Sequence, residues 1–380
     1  MALQQCSGIN ALTNLPVQLT FGETISSVAS AGAQDCYLAP GFIDLQVNGF
    51  AGVDYNHPQT TYEEIERSLR AQFASGATRI YPTVITGARE GMQACLRNLA
   101  NARDAIPHGH AIAGFHVEGP HISLEDGPRG AHPRVHVRPP DVAEFHRLQA
   151  AARGLIRMIT LSPEWPEAPH YIERITSEGV VASIGHTNAS AAQIAAAVAA
   201  GATLSTHLGN GAHPVLRRHP NYIWQQLAED RLTAGFIVDG IHLDGAFLKT
   251  AIRAKTVDRS FLVTDASTPA GAASGRYLLA DQPVDLTDDG RVVLAGTDRL
   301  AGSALHMHQG VANLLRLAGI TLADAVRMAT INPARAGNVS GRAVDLVSGA
   351  PADITQFRLT AANEIEITAT WLAGERVYAR

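Results

Sequence analysis

The sequence predicts a parallel (β/α)8 barrel joined to a small β-sandwich domain formed by both chain ends. Three observations predict it: eight short apolar runs alternate with helix-period segments from Pro40 onward, each run closes on polar side chains, and short β-type segments stand at both ends. The chain has 380 residues, 46% of them hydrophobic. Domains of ~100–200 residues are usual and α/β barrels run larger, so one barrel and a satellite fill this length.

The runs are Gly41–Val47, Ala77–Val84, Ala111–Gly119, Leu155–Pro163, Val180–Thr187, Ala202–Gly209, Leu232–Gly240 and Ser260–Ala266. Eight is the number that closes a barrel. Between and after them, Thr60–Ser75, Ala88–Asp104, Pro139–Arg153, Ala189–Ala200 and Leu305–Leu317 carry helical periodicity, several with a capping-type Thr, Asn or Ser near the start. These predict an outer ring. Val17–Phe21 and Ser26–Ala29 near one end, and Asp353–Phe357, Glu364–Thr370 and Glu375–Tyr378 near the other, read as strands that pair with each other. The expected division is 1–39 plus 336–380 for the small β domain and 40–335 for the barrel.

A net charge of -5 with acids and bases evenly scattered gives no electrostatic support for nucleic-acid or anionic-membrane binding. A small-molecule substrate fits better. The first basic residue is Arg67, so a positively charged targeting region is not apparent, and a cytoplasmic location is expected. Cys6, Cys36 and Cys95 are odd in number and far apart, which suits reduced thiols. The most apolar stretch, Ile194 to Ala200, is shorter than the ~20 residues of a membrane span and reads as a packed helix.

Active sites of such barrels lie at the carboxyl ends of the strands. The runs end in Asp44, Gln46 and Asn48; Thr83; His116 and Glu118; Ser162; His186; His207; Asp239 with His242; and Asp265. Glu118, His186 and His207 make a carboxylate and two imidazoles, a catalytic-type ligand set that leaves a position open for water. Zn2+ is the default ion, with Fe2+ or another divalent cation as alternatives. Each of the three could instead be a polar residue satisfied locally, and it is their convergence on one mouth that favours the metal. Asp265, assigned to the last strand, is placed to take a proton from water and return it to a leaving amine; its other reading is a helix N-cap before Ala266.

Lys249 and Lys255 are the only lysines, and neither falls in the fourth run, so a carbamylated lysine bridging two ions from that strand is excluded. The first run ends in Gln46-x-Asn48, neutral amides that are poor zinc ligands. A single divalent ion is therefore expected. No Gly-x-Ser-x-Gly nucleophile elbow is present.

Taken together, the motifs resemble the N-acetylglucosamine-6-phosphate deacetylase family of the amidohydrolase superfamily over nearly the whole chain. They are Pro40-Gly41-Phe42-Ile43-Asp44 with Gln46 and Asn48, His-Val-Glu-Gly-Pro at 116–120, Arg-Gly-Ala-His-Pro at 129–133 and Gly-His-Thr-Asn-Ala at 185–189. Thr-His-Leu at 206–208 with Asn210, Asp-Gly-Ile-His at 239–242, Val-Thr-Asp-Ala at 263–266 and Leu-Ala-Gly-Ser at 300–303 complete the set. The resemblance implies a barrel of the amidohydrolase kind, with Glu118, His186 and His207 as metal ligands, Asp265 as the proton-transferring acid and His132 as the residue that helps polarise the acetyl carbonyl. It also implies substrate contacts at Ala131, Asn210, Gly211, Arg218, His242, Leu300, Ala301 and Gly302, with Arg218 and His242 as candidates for phosphate. A homodimer is implied as well, since in some members phosphate contacts cross a dimer interface.

The sequence departs from that pattern after His207. Gly209 and Gly211 replace bulkier neighbours and loosen the backbone there. Glu125 and Asp126 add acids to the loop between Glu118 and His132, and would disfavour an anionic ligand if they faced it. Arg217-Arg218-His219 reads either as a phosphate grip or as a solvated basic loop. The function expected is metal-dependent hydrolysis of the N-acetyl group of N-acetylglucosamine-6-phosphate. A related hydrolase of an unphosphorylated N-acetylamino sugar or an N-acyl-D-amino acid is the alternative, and a non-catalytic scaffold would be expected to have lost the four central residues.

Overall fold

The computed structural model describes residues 3–339 and 345–380. Residues 340–344, which fall in the segment assigned to the small β domain, lie outside them.

Eight parallel strands pair in chain order: Phe42–Val47, Ala77–Ile85, Phe115–Glu118, Ile156–Leu161, Val181–Ile184, Leu204–Ser205, Thr233–Ile237 and Ser260–Val263. The seam between first and last is closed by a parallel bridge between Val47 and Ala266 and by the Asp265 amide donating to the Gln46 carbonyl at 2.9 Å. Seven of the eight expected runs contain their strands, and the second strand, Ala77–Ile85, extends one residue past its run. The sixth is the shortest, because the chain leaves the ladder at Thr206 and turns at His207, where φ is +26°.

Helices cover the barrel because their apolar faces have a wall to bury against. Tyr62–Phe73 starts at a capping box between Thr61 and Glu64, and Ala191–Ala199 at one between Ser190 and Gln193. Val142–Ala151, Tyr222–Ala228 and Gly245–Lys255 are capped by Asp141, Asn221 and Asp244. Ile65, Leu69 and Phe73 on the first helix and Leu96 and Leu99 on Arg89–Ala105 pack into the main core.

The two ends share one seven-stranded sheet. Its order runs Glu375–Ala379, Ile365–Leu372, Ile354–Leu359, Tyr37–Pro40, Gln4–Asn10, Pro16–Phe21, Ile25–Ser30. Tyr37–Pro40 lies in the middle and leads directly into the first barrel strand, which couples the sheet to the barrel. Leu19, Phe21, Leu38, Ile354 and Trp371 form its own apolar cluster.

Strands Gln4–Asn10 and Tyr37–Pro40 and the helices Ala168–Ser177, Tyr222–Ala228, Gly245–Lys255, Leu322–Ala329 and Ile331–Ala336 were not anticipated, and neither was a further sheet at the barrel mouth. After the last barrel strand, Gly275–Leu279, Gln282–Leu286 and Val292–Leu294 form an antiparallel three-stranded sheet with a small core of Leu279, Val284 and Val292. It docks over the mouth: Gln282 Nε2 donates to the Ala131 carbonyl at 3.1 Å, and the Ala280 amide to Asp54 at 2.6 Å. Among the described residues no helix is long and apolar enough to cross a membrane.

Candidate active site

At the carboxyl ends of the strands, Glu118, His186 and His207 converge, all buried. His186 Nε2 and His207 Nε2 stand 3.1 and 2.9 Å from Glu118 Oε1, and 3.2 Å from each other. Ligand atoms about 2.1 Å from one ion sit about 3.0–3.4 Å apart, so this donor set fits a single divalent cation. His186 Nδ1 donates to the Pro128 carbonyl at 2.9 Å, which leaves Nε2 as the lone-pair nitrogen.

Burial alone would raise the Glu118 carboxyl, but hydrogen bonds from His186 and His207, and their charge, hold it well below the carboxylate range. An ionised oxygen with two imidazole nitrogens is the chemistry a borderline cation binds.

Gln46 and Asn48 are not part of that set. Gln46 Nε2 donates to Glu118 Oε1 at 2.8 Å and to Asp265 Oδ1 at 3.1 Å, while Asn48 Nδ2 donates to the same Asp265 oxygen at 2.7 Å. Their N–H groups, not lone pairs, meet the carboxylates. Oδ2 of Asp265 makes no hydrogen bond among the described residues. Burial, then the Glu118 charge, pushes the Asp265 carboxyl up to about 6. No helix starts here, so the capping alternative is not realised; Asp265 is a loop residue at φ +49°.

His186 at φ +50° and His207 at φ +26° share that left-handed backbone. Such conformations are held at ~1–3 kcal/mol each for side-chained residues and persist where surroundings over-determine them. Part of the surroundings is Gly211, at φ +55°, where an added Cβ would lie 2.7 Å from His186 Nδ1. Gly211 is therefore a close-packing requirement rather than the loosening of the backbone that its residue type suggests.

His132 comes from the loop after the third strand. Its ring packs edge-on against His186 with centroids 4.4 Å apart, and Nε2 lies 3.9 Å from Glu118 Oε2. Burial, reinforced by the His186 charge, pushes its pKa down to about 3, so it is a neutral imidazole whose remaining N–H can donate. Arg129 fixes the loop by donating to the His132 carbonyl at 2.7 Å and pairing with Asp126.

A cavity of about 500 Å³ opens above these groups. Ala131, His132, Asn210, Gly211, His242, Leu300, Ala301 and Gly302 line it together with Glu118, His186, His207 and Asp265. Arg218 does not; it is exposed on the loop before Tyr222 and sits apart from the cavity of its own chain. The loop acids that would repel an anion are turned away, Glu125 to Asn188 and His213 and Asp126 to Arg129. His242 Nδ1 is held by Asp239 at 2.6 Å, and two backbone amides hold the other Asp239 oxygen. Sequence reasoning assigned no role to Asn48, Arg291 or Arg299, which also line the cavity. The Gln-x-Asn pair ending the first strand signalled the first of these; the arginines lie in the unanticipated sheet and the turn after it.

The fold and the site together define a metal-dependent hydrolase, and the chain belongs to the amidohydrolase family, whose model matches residues 37–377. Among its relatives, the N-acetylglucosamine-6-phosphate deacetylase of Bos taurus is 34% identical over 372 residues, covering 96% of this chain and 88% of that one. The N-acetylgalactosamine-6-phosphate deacetylase of Shewanella sp. (strain ANA-3) is 34% identical over 342 residues, covering 90% and 83%. A solved mutant of N-acetyl-D-glucosamine-6-phosphate deacetylase from Mycobacterium smegmatis, in complex with N-acetyl-D-glucosamine-6-phosphate, superposes over 100% of both chains with a TM-score of 0.91 at 30% identity. The family is metal-dependent, and the Glu-His-His cluster is suited to a metal ion.

Proposed function

We propose that this chain hydrolyses the N-acetyl group of N-acetylglucosamine-6-phosphate, giving glucosamine-6-phosphate and acetate. The observation that carries the reading is the meeting of Glu118, His186 and His207 beside Asp265 at the floor of the cavity, in a chain about one-third identical to deacetylases of this substrate over nearly all its length. The galactosamine-phosphate relative leaves the epimer as the competing sugar.

Glu118, His186 and His207 hold one divalent ion, Zn2+ first and Fe2+ next. When bound it supplies Lewis acidity toward the amide carbonyl and lowers the pKa of the attacking water. Asp265, with Oδ1 clamped by Asn48 and Gln46, uses Oδ2 to accept the proton of the attacking water and passes it to the amine as acetate leaves. Neutral His132 donates to the carbonyl oxygen as negative charge builds there. Ala131, Asn210, Gly211, His242 and the Leu300–Gly302 loop shape the space for the sugar.

Residues 40–335 form the catalytic unit in this reading, and 1–39 with 336–380 the small β domain. The protein works in the cytoplasm as a homodimer, the arrangement in which Arg218 could reach a partner's substrate. Acetate release from a panel of N-acetylhexosamines, with and without the 6-phosphate, tests the proposal. Preferred turnover of N-acetylglucosamine-6-phosphate is expected; turnover confined to N-acyl-D-amino acids would overturn it.

A further inference from the structure

Asp44 is a buried carboxylate that the reaction described above does not use. It is 1% exposed, and among the described residues no basic side chain pairs with it. A carboxyl group taken out of water destabilises a fold unless hydrogen bonds replace its hydration. Here Oδ1 accepts from the amides of Gln46 at 3.3 Å and Thr264 at 3.2 Å, and Oδ2 accepts from the Thr264 hydroxyl. One side chain thereby joins the first barrel strand to the residue that follows the last.

Thr264 carries this hold across Asp265. With its proton committed to Asp44, Thr264 Oγ1 accepts from the Ala266 amide at 3.1 Å, and the Thr264 carbonyl accepts from Ser303 Oγ at 2.6 Å. The residues on either side of Asp265 are therefore tied to one hydroxyl. Asp265 itself donates from its amide to the Gln46 carbonyl at 2.9 Å and accepts at its carbonyl from the Ser303 amide at 2.9 Å. It stands at φ +49°, a conformation that a residue with a side chain keeps only where its surroundings over-determine it. Asp44 also grips the backbone of Gln46, whose side chain donates to Asp265 Oδ1.

The seam between the strands does not need this acid. Backbone bonds already close it, from the Asp265 amide to Gln46 and from the Asn48 amide to the Ala266 carbonyl at 2.7 Å, and a well-packed apolar side chain would fill the space without burying a charge. What the carboxylate adds is a fixed acceptor for Thr264. We propose that Asp44 and Thr264 are positioning residues: they impose the left-handed backbone of Asp265 and so set where its free oxygen stands beside Glu118, His186 and His207. This rests on the deacetylase reading above and adds to it what holds the proton-transferring carboxylate in place. Neither residue lines the cavity, so neither meets the sugar.

The test measures kcat and KM for acetate release from N-acetylglucosamine-6-phosphate, and zinc affinity by chelator competition, in wild type, Thr264→Val, Thr264→Ser and Asp44→Asn, with thermal melting to establish that each is folded. Thr264→Val keeps the shape and removes the hydroxyl; kcat is expected to fall roughly ten- to a hundred-fold, the loss that a misplaced catalytic group brings. KM and zinc affinity are expected to stay at their wild-type values, a split that general loosening of the barrel would not give. Thr264→Ser keeps the hydroxyl and is expected to recover most of kcat. Asp44→Asn turns the acceptor of that hydroxyl into a donor and should lower kcat in the same way; it decides the matter if Thr264→Val does not fold. An unchanged kcat in Thr264→Val, an equal loss in Thr264→Ser, or zinc affinity that falls in step with kcat overturns the inference. If wild type releases no acetate, the proposed function has failed, and crystal structures of wild type and Thr264→Val with zinc then decide: Asp265 leaving its left-handed conformation in the variant supports the inference, and an unmoved Asp265 overturns it.

Discussion

The side-chain amide of Asn48 donates to Oδ1 of Asp265 at 2.7 Å, across the seam where the first barrel strand meets the last. Gln46 donates to the same oxygen and also to the Glu118 oxygen that faces the two histidines. The amides that end the first strand thus set the position of the proton-transferring group relative to the metal ligands, and Asp265 keeps one oxygen for chemistry.

Asn48→Ala removes a hydrogen bond that lowers the Asp265 pKa, so the carboxyl moves further up. A protonated Asp265 cannot accept a proton, and the acid limb of kcat/KM moves to higher pH than in wild type. A pH–rate profile checks this; a limb left in place would show that Asn48 does not govern the base.

Asp265→Asn keeps the size of the side chain and removes its basicity. Because Asp265 is not in the ligand cluster, metal content should be retained while kcat falls ~10²–10⁴-fold. Metal analysis beside steady-state kinetics separates the two, and loss of the ion would make Asp265 a ligand instead.

Gly211→Ala places a methyl group against His186 Nδ1 and displaces the ring from the Pro128 carbonyl. Metal affinity should drop ~10–100-fold, the range for disturbed outer contacts of a ligand histidine. Gly154→Ala, also at positive φ but with open space around it, is the control expected to keep wild-type affinity in a chelator competition.

Glu144 is fully buried and receives Arg138 at 2.5 Å, with Arg89 at 3.3 Å. Arg138 in turn donates to the Gly87 and His136 carbonyls, tying down the far end of the loop that carries His132. Glu144→Ala leaves the mostly buried guanidinium unpaired, and urea unfolding should show a loss of ~3–5 kcal/mol. Burial opposes ionisation of Glu144, but the Arg138 hydrogen bonds and charge outweigh it and depress its pKa. Its contribution is present above the unfolded carboxylate pKa and is lost as pH falls through the folded one, so the gap between variant and wild type should narrow in acid.

The barrel was legible because each apolar run stops at a polar residue whose only use lies at the mouth, as Glu118, His186 and His207 do. The runs overstate strand length where function bends the chain: Ala202–Gly209 contains a strand of two residues, Leu204–Ser205, before the turn at His207. Tyr222–Ala228 is too short to display helical periodicity. The sheet over residues 275–294 escaped because its strands are short, its first strand is mostly exposed and its core is a few side chains, so no long buried run marks it. Which residues face the cavity is a tertiary fact: Arg218 and Arg299 are equally basic in the sequence, and only the second lines the site.

The most direct measurement is a crystal structure of the protein purified in zinc, with anomalous scattering recorded on both sides of the zinc edge. One zinc peak is predicted within bonding distance of Glu118, His186 and His207, with the free oxygen of Asp265 facing it across the open coordination position. A peak held by other side chains, or those three residues ordered with no bound ion at saturating zinc, would contradict the account.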